Sequence, residues 1–408
     1  MQDLRYDIDP QGDTILVLRC PNTKQPVWEP TDQVSKLKQK NTIRRRMLFG
    51  SAFMPDTEDG RSDDENAHEP TPEPVAHTIE SNVPNDTDST EAHGEDGERN
   101  EVQFRLCSRH LALASPVFKT MLNGSWKESS PPSDQSHGSA KTRAPTQNGT
   151  DCQVRYELAA TEWDAEDFLL LMNIVHGRNR QVPYSVDLET LGRIAVLVDY
   201  YQCQEVTQFV AEFWIDKIYY TFPATYGRNC VTWMFVSWVF TRGEFFEKMT
   251  LLAIRTCEGG LGTINLPFPP MLLSTATPHL HGLSKLMCFA AVMEQKRDRF
   301  IDEIFEMLGD VGKDLWKGHL GCDFACRSMM LGSLLGRMDK NELYGACSAE
   351  GAKSAALSLK SESWCSLKNG RHCSSHTCTL YKLLQPGIER LWDGLDGLKL
   401  CDYNGQNE

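Results

Sequence analysis

Long apolar runs are missing from this chain. The longest strongly apolar stretch, Val231 to Phe240, has ten residues and is interrupted by Thr232 and Ser237, well short of the roughly 20 that a membrane-spanning helix needs. A basic excess is missing too. The formal charge is -14, and the segment from Pro55 to Glu101 accounts for all of it, with 16 Asp or Glu against only Arg61 and Arg99. The rest of the chain is near neutral, so it has no broad basic surface to neutralise phosphates, and nucleic-acid binding by folded parts is not expected. The opening residues, MQDLRYDIDP, lack a basic start followed by an apolar run, so the expectation is an intracellular protein of the cytoplasm or nucleus, with no membrane association. No Gly-x-x-x-x-Gly-Lys phosphate loop, His-Glu-x-x-His pair or Gly-x-Ser-x-Gly elbow occurs, which leaves enzyme function without a foothold. In such a compartment the 14 cysteines are expected as thiols or metal ligands rather than disulfides.

A total of 408 residues, 40% of them hydrophobic, is enough for two or three domains with a real core. The organising stretch runs from Phe104 to Leu122. Val102, Phe104 and Leu106 alternate with polar residues as in a half-buried strand, and at Ser108 the pattern changes to a helical period,. Two short helices are predicted after it. Ser108 is expected to cap the first through its hydroxyl, and Ser115 followed by Pro116 supplies a cap and a first-turn proline for the second. Leu111, Leu113, Val117, Phe118, Met121 and Leu122 should supply their apolar faces, and Asn123-Gly124 should end the second,.

A strand, a His, an apolar pair, then Ser-Pro-x-Phe and a Met-Leu helix end resembles the BTB/POZ domain. Asp13, Phe104, His110, Leu113, Ser115, Pro116, Phe118, Met121 and Leu122 carry the likeness. The wording SRHLALASPVFKTMLNGSWKES, with a long insert before it and a helical region behind, looks like the BTB proteins of filamentous fungi. The resemblance implies an α+β BTB/POZ domain, a small sheet flanked by helices, followed by an all-α C-terminal domain. In that family a histidine at the position of His110 packs and hydrogen-bonds structurally. Repressor-type members pair an acidic residue, matched by Asp13, with a basic residue after the His, where this chain has Leu111. The family's dimer often uses a strand ahead of the first shared strand, and only about a dozen residues precede Thr14.

The chain divides accordingly. Residues 1–22 form the first part of the domain, with a strand over Thr14 to Leu18. Residues 23–101 are an insert, first basic and then acidic. From Pro55 onward it is Asp, Glu, Pro, Ser, Thr and Asn with almost no aromatics, so disorder is expected,. Residues 102–220 are the main part, with a polar loop at 129–151, a strand over Val154 to Leu158, a helix capped by Thr161 or Asp164 and ending at His176-Gly177, and helices over Leu188 to Tyr201 and Glu205 to Tyr220. Residues 229–408 are the helical C-terminal domain, with helices over Val231 to Val239, Phe245 to Thr256, Cys288 to Leu308, Phe324 to Arg337 and Pro386 to Leu395. Trp233, Phe235, Trp238, Phe240, Phe245 and Phe246 are expected core.

Three stretches invite a site. Lys36, Lys38, Lys40, Arg44, Arg45 and Arg46 form a basic run that reads as a nuclear import signal or a solvated arm,. Trp126, Lys127 and Glu128 stand where the resemblance places the apolar-x-Glu motif of cullin-binding adaptors; the alternative is an exposed Trp covering the domain's own core. The partners implied are proteins, a cullin or a second copy of the chain, with no cofactor. Near the C-terminus Cys322 and Cys326, four apart, would face one side of a helix. Together with Cys365 and Cys378 they offer enough sulfur for a tetrahedral zinc site stapling two helical segments, or are small core residues,.

Overall fold

The computed structural model describes residues 4–23, 101–123, 154–261, 266–268, 287–340, 348–359 and 378–403. They form a mixed α/β architecture, mostly helical, with one four-stranded sheet and eleven α-helices among the described residues. β2 (Thr14–Arg19) and β3 (Glu101–Leu106) pair antiparallel, with Leu16 opposite Phe104 and Leu18 opposite Val102. β4 (Tyr156–Thr161) runs parallel to β2 on its other side. Leu16, Leu18, Val102, Phe104, Leu106 and Leu158 are buried on one face. That apolar face sets the register between β2 and β3, since no tight turn joins them and the chain between them is long.

β1 (Leu4–Asp7) was not anticipated. It lies at the sheet's edge, parallel to β3, with Tyr6 stacked on Phe104 at 5.4 Å between ring centroids. Four residues of mixed polarity are too few for a periodic signal, and β1 is held by pairing with a strand far along the sequence. The turn from β1 to β2 passes so near β3 that a Cβ on Gly12 would lie 2.3 Å from the Leu106 carbonyl oxygen, which only glycine permits.

The helices after the sheet follow their sequence signals closely. α1 (Ser108–Ala114) and α2 (Pro116–Asn123) meet at Ser115. α3 (Ala165–Val175) is capped by Asp164, whose carboxylate accepts the Glu166 and Asp167 amides, and it ends ahead of Gly177 at φ 68°. α4 (Leu188–Tyr201) has Asp187 as its cap and ends at Gln202 in the left-handed region, which turns the chain straight into α5 (Gln204–Ile218).

α6 (Arg228–Val239) is buried on nearly all sides, with Trp233, Phe235 and Val236 in the core, as expected of a helix that is apolar all round. It lies so close to α4 that a Cβ on Gly192 would meet the Thr232 methyl at 2.7 Å. α7 (Gly243–Thr256) packs on α6, and α8 (Met287–Lys317) packs on α7. At 31 residues α8 is about 46 Å long. It runs past the expected end at Leu308 because Leu315 continues its buried stripe. α9 (Phe324–Lys340), α10 (Ala349–Leu357) and α11 (Leu380–Asp393) all pack on α8.

The start expected for the last helix is corrected. Pro386 reads as a first-turn proline, yet it lies inside α11. Thr379 caps that helix by accepting the Lys382 amide, and Leu380, Leu384 and Ile388 bury its apolar face. That burial outweighs the lost bond and steric conflict of an internal proline, about 3 kcal/mol. Trp392 at its end lies between the Arg255 guanidinium, 4.4 Å from the ring centroid, and the Lys353 ammonium at 4.1 Å. The core continues without a break from the sheet through α4 and α6 to α8. Among the described residues no helix is long and apolar enough to cross a membrane.

Candidate functional site

The corner where β3 hands over to α1 and α2 is fixed by three polar devices. The first corrects the expectation for Ser108, which does not cap α1 through its own hydroxyl. The cap position is Cys107, which makes no side-chain cap bond. Asp13, from the turn before β2, reaches across instead: one carboxylate oxygen accepts the Ser108 amide at 2.8 Å and the other accepts its hydroxyl at 2.7 Å. Burial alone would push the Asp13 carboxyl up, but the hydrogen bonds it accepts, from the Ser108 amide and hydroxyl foremost and from its own amide and the Thr14 hydroxyl, together hold it below the usual carboxylate range,.

The second device is Ser115, buried as the sequence requires. Its Oγ accepts the Phe118 amide at 3.0 Å and donates to the Tyr201 carbonyl at 2.5 Å. One side chain therefore satisfies an orphan donor at the start of α2 and an orphan acceptor at the end of α4. Phe118 and Tyr201 stack beside it at 4.4 Å. Phe118 and Leu122 are buried and Met121 is half-buried.

The third device is a histidine that sequence reasoning missed. His110, expected to pack and hydrogen-bond, is exposed and touches His176 edge-on at 5.2 Å. The structural role falls to His176. Its Nε2 accepts the Cys107 amide at 3.0 Å, which leaves Nδ1 as the protonated nitrogen, donating to the Met172 carbonyl at 2.8 Å,. Burial lowers the His176 pKa, as does the neighbouring His110, while the Met172 carbonyl opposes them. With both ring nitrogens engaged, the histidine is neutral and structural. The only sequence signal for it was its place before Gly177 at a helix end.

Leu113 is a further correction. Expected to supply an apolar face, it is 89% exposed, whereas Leu111 on the same helix is fully buried. A helix of seven residues that meets the core along one line can bury Leu111 and leaves Leu113, two positions on, pointing outward,. On α5, Phe209 and Phe213, four apart and so on one face, are also exposed.

Behind the corner, Asp167 on α3 is almost fully buried and accepts a short hydrogen bond from Arg193 Nε on α4. Burial raises the Asp167 carboxyl, and the Arg193 bond and charge pull it back only in part. The thiols of Cys203 and Cys230 are each pushed up to about 12 by burial, so they remain protonated core residues.

The C-terminal cysteines do come together in part. Cys322, Cys326 and Cys378 lie with their Sγ atoms all within 4.8 Å of one another. Cys322 and Cys326 do not meet as neighbours on one helix face: α9 starts after Cys322, and Asp323 accepts the Cys326 amide at 2.7 Å. Cys365, Trp126, Lys127, Glu128 and the basic run from Lys36 to Arg46 lie outside the described residues.

In comparisons with known proteins, no family model, no curated protein and no solved structure matches the chain.

Proposed function

We propose that this chain is a non-enzymatic protein-protein adaptor whose N-terminal α/β unit is a BTB/POZ-type domain of the filamentous-fungal kind. The unit holds one partner and the helical region from α6 onward holds another. The observation that carries the reading is Leu113. Asp13, Ser115 and His176 fix the strand-helix corner from three sides, and Leu113 projects from it into water at 89% exposure. A rigid corner presenting an apolar side chain is suited to docking on a protein, because little freedom is lost when it is covered. Trp126, Lys127 and Glu128 follow α2 in sequence where adaptors of this type meet a cullin, so a cullin-type ubiquitin ligase is the partner proposed for this end. The protein acts inside the cell, in the cytoplasm or nucleus.

The experiment is affinity purification of the tagged protein from its native cell, with Trp126→Ala/Glu128→Ala and Leu113→Asp as controls. A cullin recovered with wild type and lost with the variants supports the adaptor; a cullin recovered equally with all three removes it.

A second reading has one observation in its favour. β1 is an edge strand ahead of β2, with Leu4 half exposed, and an edge strand is a template for pairing with another copy. A nuclear regulatory scaffold that self-associates through β1 would use it. Light scattering that reports a dimer at micromolar concentration, lost on deleting residues 1–8, supports this reading, and a clean monomer removes it.

A further inference from the structure

We infer that Cys322, Cys326 and Cys378 bind a thiophilic divalent cation, zinc being the metal whose chemistry fits, and that the ion ties the start of α9 to the start of α11. The argument begins with geometry. Four sulfurs around zinc at about 2.3 Å stand about 3.8 Å apart in a tetrahedron. The three Sγ atoms here all lie within 4.8 Å of one another. Closing the remaining distance asks for small side-chain rotations and no movement of helices. No other group of three or more His, Cys, Asp or Glu converges in this way among the described residues.

The placement on the fold adds a second argument. Cys326 is the third residue of α9 and is buried, Cys322 precedes that helix and is exposed, and Cys378 is half-buried immediately before Thr379, the cap of α11. The three thiols therefore come from two segments far apart in the chain. α9 and α11 each pack on α8 and share little contact with one another, so the hydrophobic core alone does not explain why their ends should meet at three sulfurs. Three thiolates and a divalent ion leave one net negative charge at a site open to water through Cys322, a surface setting that avoids burying that charge. Binding displaces a proton from each thiol that is protonated beforehand, and nothing is oxidised or reduced. A disulfide between any two of the three would compete with the metal and would need an oxidant.

The test uses the untagged full-length protein, purified with reductant and without added chelator. Elemental analysis should give about one zinc per chain, and the first shell in X-ray absorption should contain at least three sulfurs. Cobalt added to the demetallated protein should give the thiolate-to-metal charge-transfer band of a sulfur-rich tetrahedral site. Cys326→Ser/Cys378→Ser should lose the metal, while Cys20→Ser/Cys401→Ser, at exposed positions away from the cluster, should keep it. Zinc-free wild type with three reduced thiols, a shell of nitrogen and oxygen, or metal retained by Cys326→Ser/Cys378→Ser would each overturn the inference. Should that variant fail to fold, the absorption shell and cobalt spectrum of wild type decide alone. None of these outcomes bears on cullin binding, so the two proposals stand or fall separately.

Discussion

Ser115→Ala removes one oxygen and is expected to cost about 3 kcal/mol. Two losses add. Phe118 loses the acceptor for its amide at the start of α2, and replacing a serine cap by alanine costs about 1 kcal/mol,. Tyr201 loses the one side-chain donor that its carbonyl at the end of α4 has among the described residues. At 1% exposure of Ser115 no water can replace that donor, so an unsatisfied buried acceptor adds about 2 kcal/mol,. Ser115→Gly separates the two, because glycine caps nearly as well as serine yet cannot bond Tyr201, so about 2 kcal/mol should remain. Urea unfolding followed by tryptophan fluorescence reads the difference, since Trp214 is buried and Trp163 lies beside Tyr201. With a slope of about 3 kcal/mol per molar urea, the alanine midpoint should fall by about 1 M. An alanine variant within about 0.3 M of wild type, or a glycine variant equal to it, would refute the double role of this hydroxyl.

Two further outcomes follow from buried polar groups near the same corner. Arg193→Met leaves Asp167 buried beside Asp164 and Glu166 with no counter-charge; a loss of about 3 kcal/mol is expected, largely recovered in Arg193→Met/Asp167→Leu, and chemical denaturation of the single and double variants measures it. His176 has a folded-state pKa below its ordinary value near 6.5,. The unfolded chain therefore takes up the proton first as pH falls. Stability from His176 is present above about pH 6.5, declines below it and levels off once the folded-state value is passed. Measured between pH 7.5 and 5, wild type should lose stability more steeply than His176→Gln, and identical slopes would sink the assignment.

What the sequence made legible was local. Asp164 and Ser115 act as caps because a short polar side chain before an apolar period can reach only the amides two or three residues ahead,. The alternation of Val102, Phe104 and Leu106 placed β3 for a similar reason: a pleat has one spacing,. The devices that escaped notice join residues remote in sequence. Asp13 caps a helix that begins beyond the long insert, and His176 accepts an amide from Cys107; no spacing rule spans such distances. Leu113 was misread because periodicity assigns a helix an apolar face but not the width of the groove that receives it. The thiol cluster was half legible. Composition put the cysteines in one region, while a shared helix face proved the wrong reason for Cys322 and Cys326 to meet.

The contact between α4 and α6 bears on how an adaptor of this form would work. Gly192 lets α6 press against α4 at the distance of a methyl contact, and the buried apolar side chains form one cluster from the sheet to α8. Flexible adaptors carry their two binding ends on units joined by an exposed linker, and each end then samples many orientations. Here the segment between Tyr220 and Arg228 is short, and Phe222 within it packs edge-on against Trp233 at 4.6 Å and Phe245 at 5.0 Å. A partner docked at Leu113 and one held by the C-terminal helices would thus keep a fixed distance and angle. Such geometry favours delivery of one site on a bound protein to a fixed point on the other partner, at the cost of excluding partners of a different shape.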